Sequence, residues 1–183
     1  MSVRFASFIN KMRKLVAGFA ASLDGYIEGP NGEYDWIIID KEIDFAAHFK
    51  RFDTYLFGRR SYEQIIAMGN KDDGMKKYVF SKTLDKAAPN YTLVNHNVAQ
   101  KINTLKKEEG KDIAVWGGAG LVTSLLDVKV VDEIQISIIP VLLGQGKPMV
   151  GMLKNKVWLS LVESKTYSNG TLAVTYKVDY KSK

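Results

Sequence analysis

The chain has 183 residues, 46% hydrophobic and 25% charged, the balance of an ordinary globular domain able to bury a core without covalent staples. It has no cysteine, and its two histidines, His48 and His96, stand far apart, which excludes disulfides and thiolate metal sites and argues against zinc or haem. The net charge of +6 is spread over scattered lysines, so it reads as a solvated surface with neither a nucleic-acid nor a membrane partner.

No stretch is apolar for long enough to cross a bilayer, the opening "MSVRFASFINKMRKL" carries no cleavage pattern, and the composition fits a cytoplasmic protein. Residues 1–13 are expected as an N-terminal extension to a single domain over 14–183. "KLVAGFAAS" predicts a buried first strand over 14–22. Apolar residues at helical spacing predict a helix over 43–52, followed by a short buried strand over 54–58 and a second helix over 59–68. Strands are expected at 77–81 and 91–95, then a polar-faced helix over 98–109 whose apolar points are Val98, Ile102 and Leu105. A strand over 113–116 leads into a helix that ends near 127. "DEIQISIIPVLL" reads as a further strand, and two alternating runs joined at Asn169-Gly170 read as a hairpin. Buried strands separated by helices imply an α/β fold: a mixed, mostly parallel sheet flanked by helices, with a C-terminal antiparallel hairpin.

Ligands of such sheets lie beyond the carboxyl ends of the strands. Four strand ends here carry chemistry. The first strand runs into "ASLDGYIEGPNGEYDW" and the second into "GRRSYE", where Gly58 allows a tight turn. There Arg59, Arg60 and Ser61 stand beside the positive end of a helix. Ser61 as a plain helix cap, with the arginines in solvent, fits the same residues. The third strand ends at Ser81-Lys82. The fifth ends in "GGAG", where Gly117 and Gly118 either make room for a pyrophosphate or simply pack strand against helix. This run is neither the dinucleotide fingerprint nor a P-loop. Three anion-compatible strand ends on one sheet suit an extended, multiply phosphorylated ligand, of which a dinucleotide is the natural candidate.

The ordered set "LVAGFAASLDGYI", "LFGRRSYE", "VFSKT", "VWGGAGLVTSLL" and "VDEIQISIIPVLLGQGKPM" resembles the dihydrofolate-reductase-like superfamily. Within it, the set is most similar to the branch that includes the reductase domain of bacterial riboflavin biosynthesis. The resemblance implies NADPH as hydride donor, with Gly58, Arg59, Arg60 and Ser61 near the adenosine phosphates. It also implies Ser81 and Lys82 near the 2′-phosphate, Gly117, Gly118, Ala119, Gly120 and Leu121 along the pyrophosphate, and Ala21 and Ser22 near the nicotinamide. Asp24 and Asp44 are the candidate catalytic carboxylates. Asp24, Trp36, Asp44 and Ser137 are the candidate substrate contacts, with Tyr34 and Asp35 beside them. Trp116 stands where riboflavin-pathway reductases usually carry a glutamate, and their "DDP" segment has only a faint echo in "KDDGM". The expectation is an NADPH-dependent reductase of a small heterocyclic or sugar-like molecule, functioning as a homodimer; the alternative is a non-catalytic nucleotide-binding or regulatory protein on the same scaffold.

Overall fold

The computed structural model describes residues 12–69 and 73–181. Residues 1–11 of the expected extension, and Lys71 and Asp72 of "KDDGM", lie outside the described residues. Chain order is β1 (Leu15–Ser22), β2 (Tyr26–Glu28), α1 (Phe45–Phe49), β3 (Phe52–Gly58), α2 (Arg59–Ala67), β4 (Lys76–Phe80) and β5 (Tyr91–Val94). There follow α3 (Val98–Lys107), β6 (Asp112–Val115), α4 (Ala119–Asp127), β7 (Glu133–Ile139), β8 (Lys147–Pro148), β9 (Trp158–Thr166) and β10 (Leu172–Asp179).

Eight strands form one sheet in the order β5-β4-β3-β6-β1-β7-β10-β9. The first six are mutually parallel, and β10 and β9 add the antiparallel hairpin. β6 enters late in the chain yet lies between β3 and β1, so its carboxyl end emerges at the centre of the sheet.

The strand pleat sends alternate residues to two different environments. Leu15, Ala17, Ile113, Val115 and Ile134 pack with Ile102 and Leu105 of α3 and with Val122, Leu125 and Leu126 of α4. On the opposite face, Val16 and Ala114 join an aromatic layer of Phe52, Tyr55, Phe57, Tyr62 and Tyr91. α2 contributes Tyr62 to this layer, over β3 and β4. Farther along that face, above β1, β7 and β10, the covering segment is the stretch that ends in α1.

Charges gather at the amino ends of the parallel strands. Arg13, assigned on sequence grounds to the extension, is buried and pairs with Asp53 and with the Thr54 hydroxyl. Glu133, 5% exposed, pairs with Lys14 and with Arg51 at 2.5 Å, and Arg51 also reaches Asp112 at 2.8 Å. Burial pushes the Glu133 carboxyl up, but Lys14 and Arg51 more than offset this and hold it below its ordinary value.

Two elements differ from expectation. The helix predicted over 43–52 is the single turn and a half of α1: the Asp44 carboxylate accepts the Ala47 N–H at 2.8 Å and starts it late. It ends early because Arg51 is drawn to the ionic cluster and Phe52 is buried as the first residue of β3. The second difference is the small antiparallel pair β2 and β8, whose strands are too short to show a period in sequence.

Candidate active site

Two glycine-rich strand ends meet. A Cβ built on Gly117 (φ +73°) would stand 3.2 Å from Ser61 Oγ; one on Gly118 (φ +85°) would stand 3.6 Å from Ser61 Oγ and 3.9 Å from the Gly58 Cα. Gly58 in turn faces Leu121, 3.5 Å from its own built Cβ. The carboxyl end of β3, the start of α2, the end of β6 and the start of α4 thus converge on a surface of almost bare backbone. The caps of α2 and α4 are Gly58 and Gly118, and neither helix has a side-chain cap. Their first-turn N–H groups are therefore left for an external acceptor, and both positive dipole ends point to the same place.

The neighbouring strand end adds charge. Arg59 donates from Nε to Glu63 at 2.7 Å and from Nη1 to the Thr83 hydroxyl at 2.6 Å, which ties the start of α2 to the loop after β4. Ser81 shapes that loop by accepting the N–H groups of Leu84 at 3.0 Å and Thr83 at 3.2 Å. Arg59, Arg60 and Lys82 are exposed at this rim.

Next to the glycines lies a cavity of about 810 Å³. Its floor is the uncovered half of the sheet, where the registers Gly18–Gln135–Thr175–Glu163 and Ala20–Ser137–Ala173–Lys165 run side by side across β1, β7, β10 and β9. Small residues and hydrogen-bonding ones are mixed there. Its roof holds Ile38, Ile43, Phe45 and Phe49, and Trp116 closes the central end, with its ring 5.4 Å from Phe49 and 5.7 Å from Tyr55. Gly117 belongs both to the cavity lining and to the bare-backbone surface, so the two are one continuous site.

The roof is pinned at Asp40. The buried Asp40 accepts the Glu42 N–H, the Ser168 hydroxyl and the Asn169 N–H, fastening the roof segment to the β9–β10 turn. At the other end, Asp44 lines the cavity from the α1 cap, and among the described residues its second carboxylate oxygen has no partner. One turn on, His48 also lines the cavity, edge-on to Phe49 and Phe52; desolvation first, then Arg51, lowers its pKa and favours the neutral ring.

Apart from Arg59, Arg60, Ser81 and Lys82 at the rim, the residues proposed from sequence fall into three groups. Gly58, Ser61, Gly117, Gly118 and Leu121 come together as described, with Ala119 buried and Gly120 exposed in the first turn of α4. Asp44, Ser137 and Tyr34 line the cavity. Asp24, Trp36, Asp35, Ala21 and Ser22 do not. The Asp24 carboxylate is filled by the Ser22 hydroxyl at 2.6 Å and by the N–H groups of Gly144 at 2.7 Å and Leu143, and these bonds, Ser22 first, lower its pKa. It latches the loop after β1 to the loop after β7, bringing "SLDG" against "LLGQG", and a carboxyl so held is unsuited to proton donation.

The Trp36 indole is turned into its own loop, toward the Glu33 carbonyl at 3.3 Å. Ala21 and Ser22 are buried, and the β1 residues on the cavity side are Gly18 and Ala20. Parity along β1 fixes this choice, and the sequence alone had no anchor for the parity. His48, Phe49, Gln135 and the β9 pair Glu163 and Lys165 were not foreseen, because they reach the cavity only through the sheet order.

The family described as RibD C-terminal domain matches residues 13–173. The chain belongs to that family. Bacillus subtilis YyaP, an uncharacterized protein, is 37% identical over 179 residues, which cover 91% of this chain and 95% of YyaP. A Shewanella sp. PV-4 protein provisionally assigned to riboflavin biosynthesis superposes with a TM-score of 0.79 at 23% identity, over 91% of this chain and 99% of that one. Dihydrofolate reductase from Enterococcus faecalis, solved with NADP(H), superposes with a TM-score of 0.63 at 17% identity, over 91% of this chain and 96% of its own. The fold is that of dihydrofolate reductase, in the form shared by the RibD C-terminal domain family. Among the described residues, no helix is long and apolar enough to cross a membrane, and no acidic or histidine cluster could hold a metal.

Proposed function

We propose that this RibD-type domain is an NADPH-dependent reductase of a small heterocyclic or sugar-like substrate, working in the cytoplasm. The observation that carries this reading is the continuity at Gly117 between a backbone cradle suited to phosphates and an open, mostly apolar cavity. The cradle fits the cofactor because a single Cβ at Gly117 or Gly118 would crowd the space that a pyrophosphate needs. The E. faecalis reductase of similar fold, solved with NADP(H), supports the same choice.

In this reading the first-turn N–H groups of α2 and α4 bind the pyrophosphate, and Gly117 to Leu121 let it approach. Arg59, Arg60, Ser61, Ser81 and Lys82 hold the adenosine end, with Lys82 and Arg59 toward the 2′-phosphate. When bound, NADPH supplies a hydride. The protein supplies position and an apolar wall. Phe45, Phe49 and Trp116 line one side of the cavity, and Gly18 and Ala20 leave a flat floor on which a planar ring can lie. Asp44 accepts a hydrogen bond from a substrate N–H or O–H, Ser137 orients the opposite edge, and the proton comes from water or through Asp44.

Titration with NADPH and NADH, followed by quenching of the tryptophans, tests the proposal. It expects saturable binding that favours NADPH, and oxidation of NADPH when pterins, flavin precursors or quinones are added. Failure to bind either nucleotide refutes it; binding without turnover on any reducible ring turns the reading to a nucleotide-binding regulator.

A further inference from the structure

Trp116 follows Val115, which pairs with Ala17 of β1, and its N–H donates to the Leu56 carbonyl of β3 at 2.8 Å. It therefore continues β6 beside Gly18, on the cavity side of the sheet. On the other flank of Gly18 stands Gln135 of β7. Two strand spacings set the Trp116 and Gln135 backbones about 9–10 Å apart, and a methyl built on Gly18 between them meets nothing within 4 Å. The result is a trough over β1, apolar on one bank and hydrogen-bonding on the other, where Ser137 continues the polar bank beside Ala20.

The apolar bank is braced yet uncovered. Phe49 and Tyr55 hold the indole at ring distances of 5.4 and 5.7 Å, and Trp116 still keeps 40% of its surface exposed. An aromatic side chain fixed by its neighbours and left bare at a cavity offers apolar area that a flat ring covers at little cost in order. Charge narrows the class further. Among the described residues that line the cavity, two carboxylates, Asp44 and Glu163, stand against one ammonium, Lys165, which already lies over the Tyr167 ring at 4.4 Å. His48 adds no cation, since desolvation first, then Arg51, lowers its pKa. The cavity is thus acidic in a chain of net charge +6, whose exposed Arg59, Arg60 and Lys82 stand at the cofactor rim instead. A phosphate in the cavity would meet two like charges and share its one cation with Glu163.

We infer that the substrate is an unphosphorylated, flat, fused ring with one apolar and one heteroatom edge, that Trp116 selects it by its apolar edge, and that a phosphorylated form is rejected. The heteroatom edge meets Gln135 and Ser137, whose side chains both donate and accept hydrogen bonds. A single ring polar on all sides would set hydrogen-bonding groups against the indole face, where they find no partner. Calling this ligand a substrate rests on the reductase reading, but its binding does not require NADPH.

Riboflavin and riboflavin 5′-phosphate test this, because they share one flat ring system, apolar at one edge and hydrogen-bonding at the other, and differ by the phosphate alone. Each is titrated with the full chain in the absence of NADPH and followed by the polarisation of its own fluorescence. Riboflavin is expected to bind with a Kd of about 100 μM or tighter, and its 5′-phosphate at least about tenfold more weakly. Trp116→Leu is expected to weaken riboflavin at least about tenfold and Trp116→Phe to keep it within about threefold, since the phenyl ring restores the aromatic face; urea unfolding checks that both variants fold. Asp44→Asn is expected to narrow the preference against the phosphate by about threefold or more, because it removes a like charge. Equal affinity for the two flavins, no detectable binding of either, or a Trp116→Leu chain that binds riboflavin within about twofold of the original overturns the inference. Failure of NADPH to bind sinks the reductase reading and leaves the trough's ligand in place; NADPH oxidation by phosphorylated rings alone does the reverse.

Discussion

Replacing Gly117 by alanine tests the link between backbone and cofactor most directly. At φ +73° a side chain is strained, and the new methyl would stand 3.2 Å from Ser61 Oγ. Left-handed backbone costs an L-residue about 1–2 kcal/mol, partly offset by about 0.5 kcal/mol from the stiffer unfolded chain. The contact with Ser61 adds a few tenths, because the hydroxyl can yield only slightly without moving α2. The expected net loss is about 1–2 kcal/mol in urea unfolding, or roughly 2–8 °C in Tm for a domain of this size. If the cradle binds NADPH, the methyl also blocks the α4 amides, and affinity falls at least about tenfold, near 1.4 kcal/mol. Adding Ser61→Ala relieves the contact but not the strain, so stability returns in part while affinity does not. An alanine variant that loses stability as expected yet binds NADPH within about twofold of the original would refute the reasoning.

Gly18→Ala makes the opposite case: the built methyl meets nothing within 4 Å and φ is ordinary, so stability should change by less than about 0.5 kcal/mol. Its methyl projects onto the cavity floor, so substrate KM should rise while NADPH affinity holds, as measured by steady-state kinetics beside nucleotide titration. Asp44→Asn removes the charge but keeps an equally ranked α1 cap, so stability should change by less than about 0.5 kcal/mol, while kcat/KM is expected to fall at least about tenfold with NADPH binding intact. Lys82→Ala should narrow the NADPH preference over NADH by about tenfold, since it removes a cation and no apolar contact; titration with both nucleotides reads this out. Glu133 titrates below its ordinary value of 4.5 in the fold. Its contribution is therefore fully present above about pH 4.5 and is lost as pH falls through the lower folded value. Glu133→Gln should cost about 2 kcal/mol at neutral pH and flatten the acid limb of a pH-dependent unfolding series.

Much of the fold was legible because its strands are short apolar runs punctuated by glycine, and its later helices start where those runs stop. Ile113 to Val115 followed by Gly117-Gly118 could scarcely be read otherwise. The convergence of Gly58, Ser61 and Gly117 was legible in outline, as strand ends on one edge of one sheet. Parity and latching are not written in local sequence. On β1 it is Gly18 and Ala20, and not the neighbouring Ala21 and Ser22, that face the cavity, and the loop after β7 saturates the candidate carboxylate Asp24.

The sequence alone determined the class of fold, the family and the strand ends at which backbone is bare, because period, glycine positions and motif order are properties of the chain itself. Only the tertiary structure decided which carboxylate is spent and which faces a cavity. It alone brought Glu163 and Lys165 from the far end of the chain to the same floor as Gly18, and placed Trp116 against Phe49. Those facts depend on which strand lies beside which, set by packing between segments as much as 150 residues apart, and no local pattern of residues encodes that order.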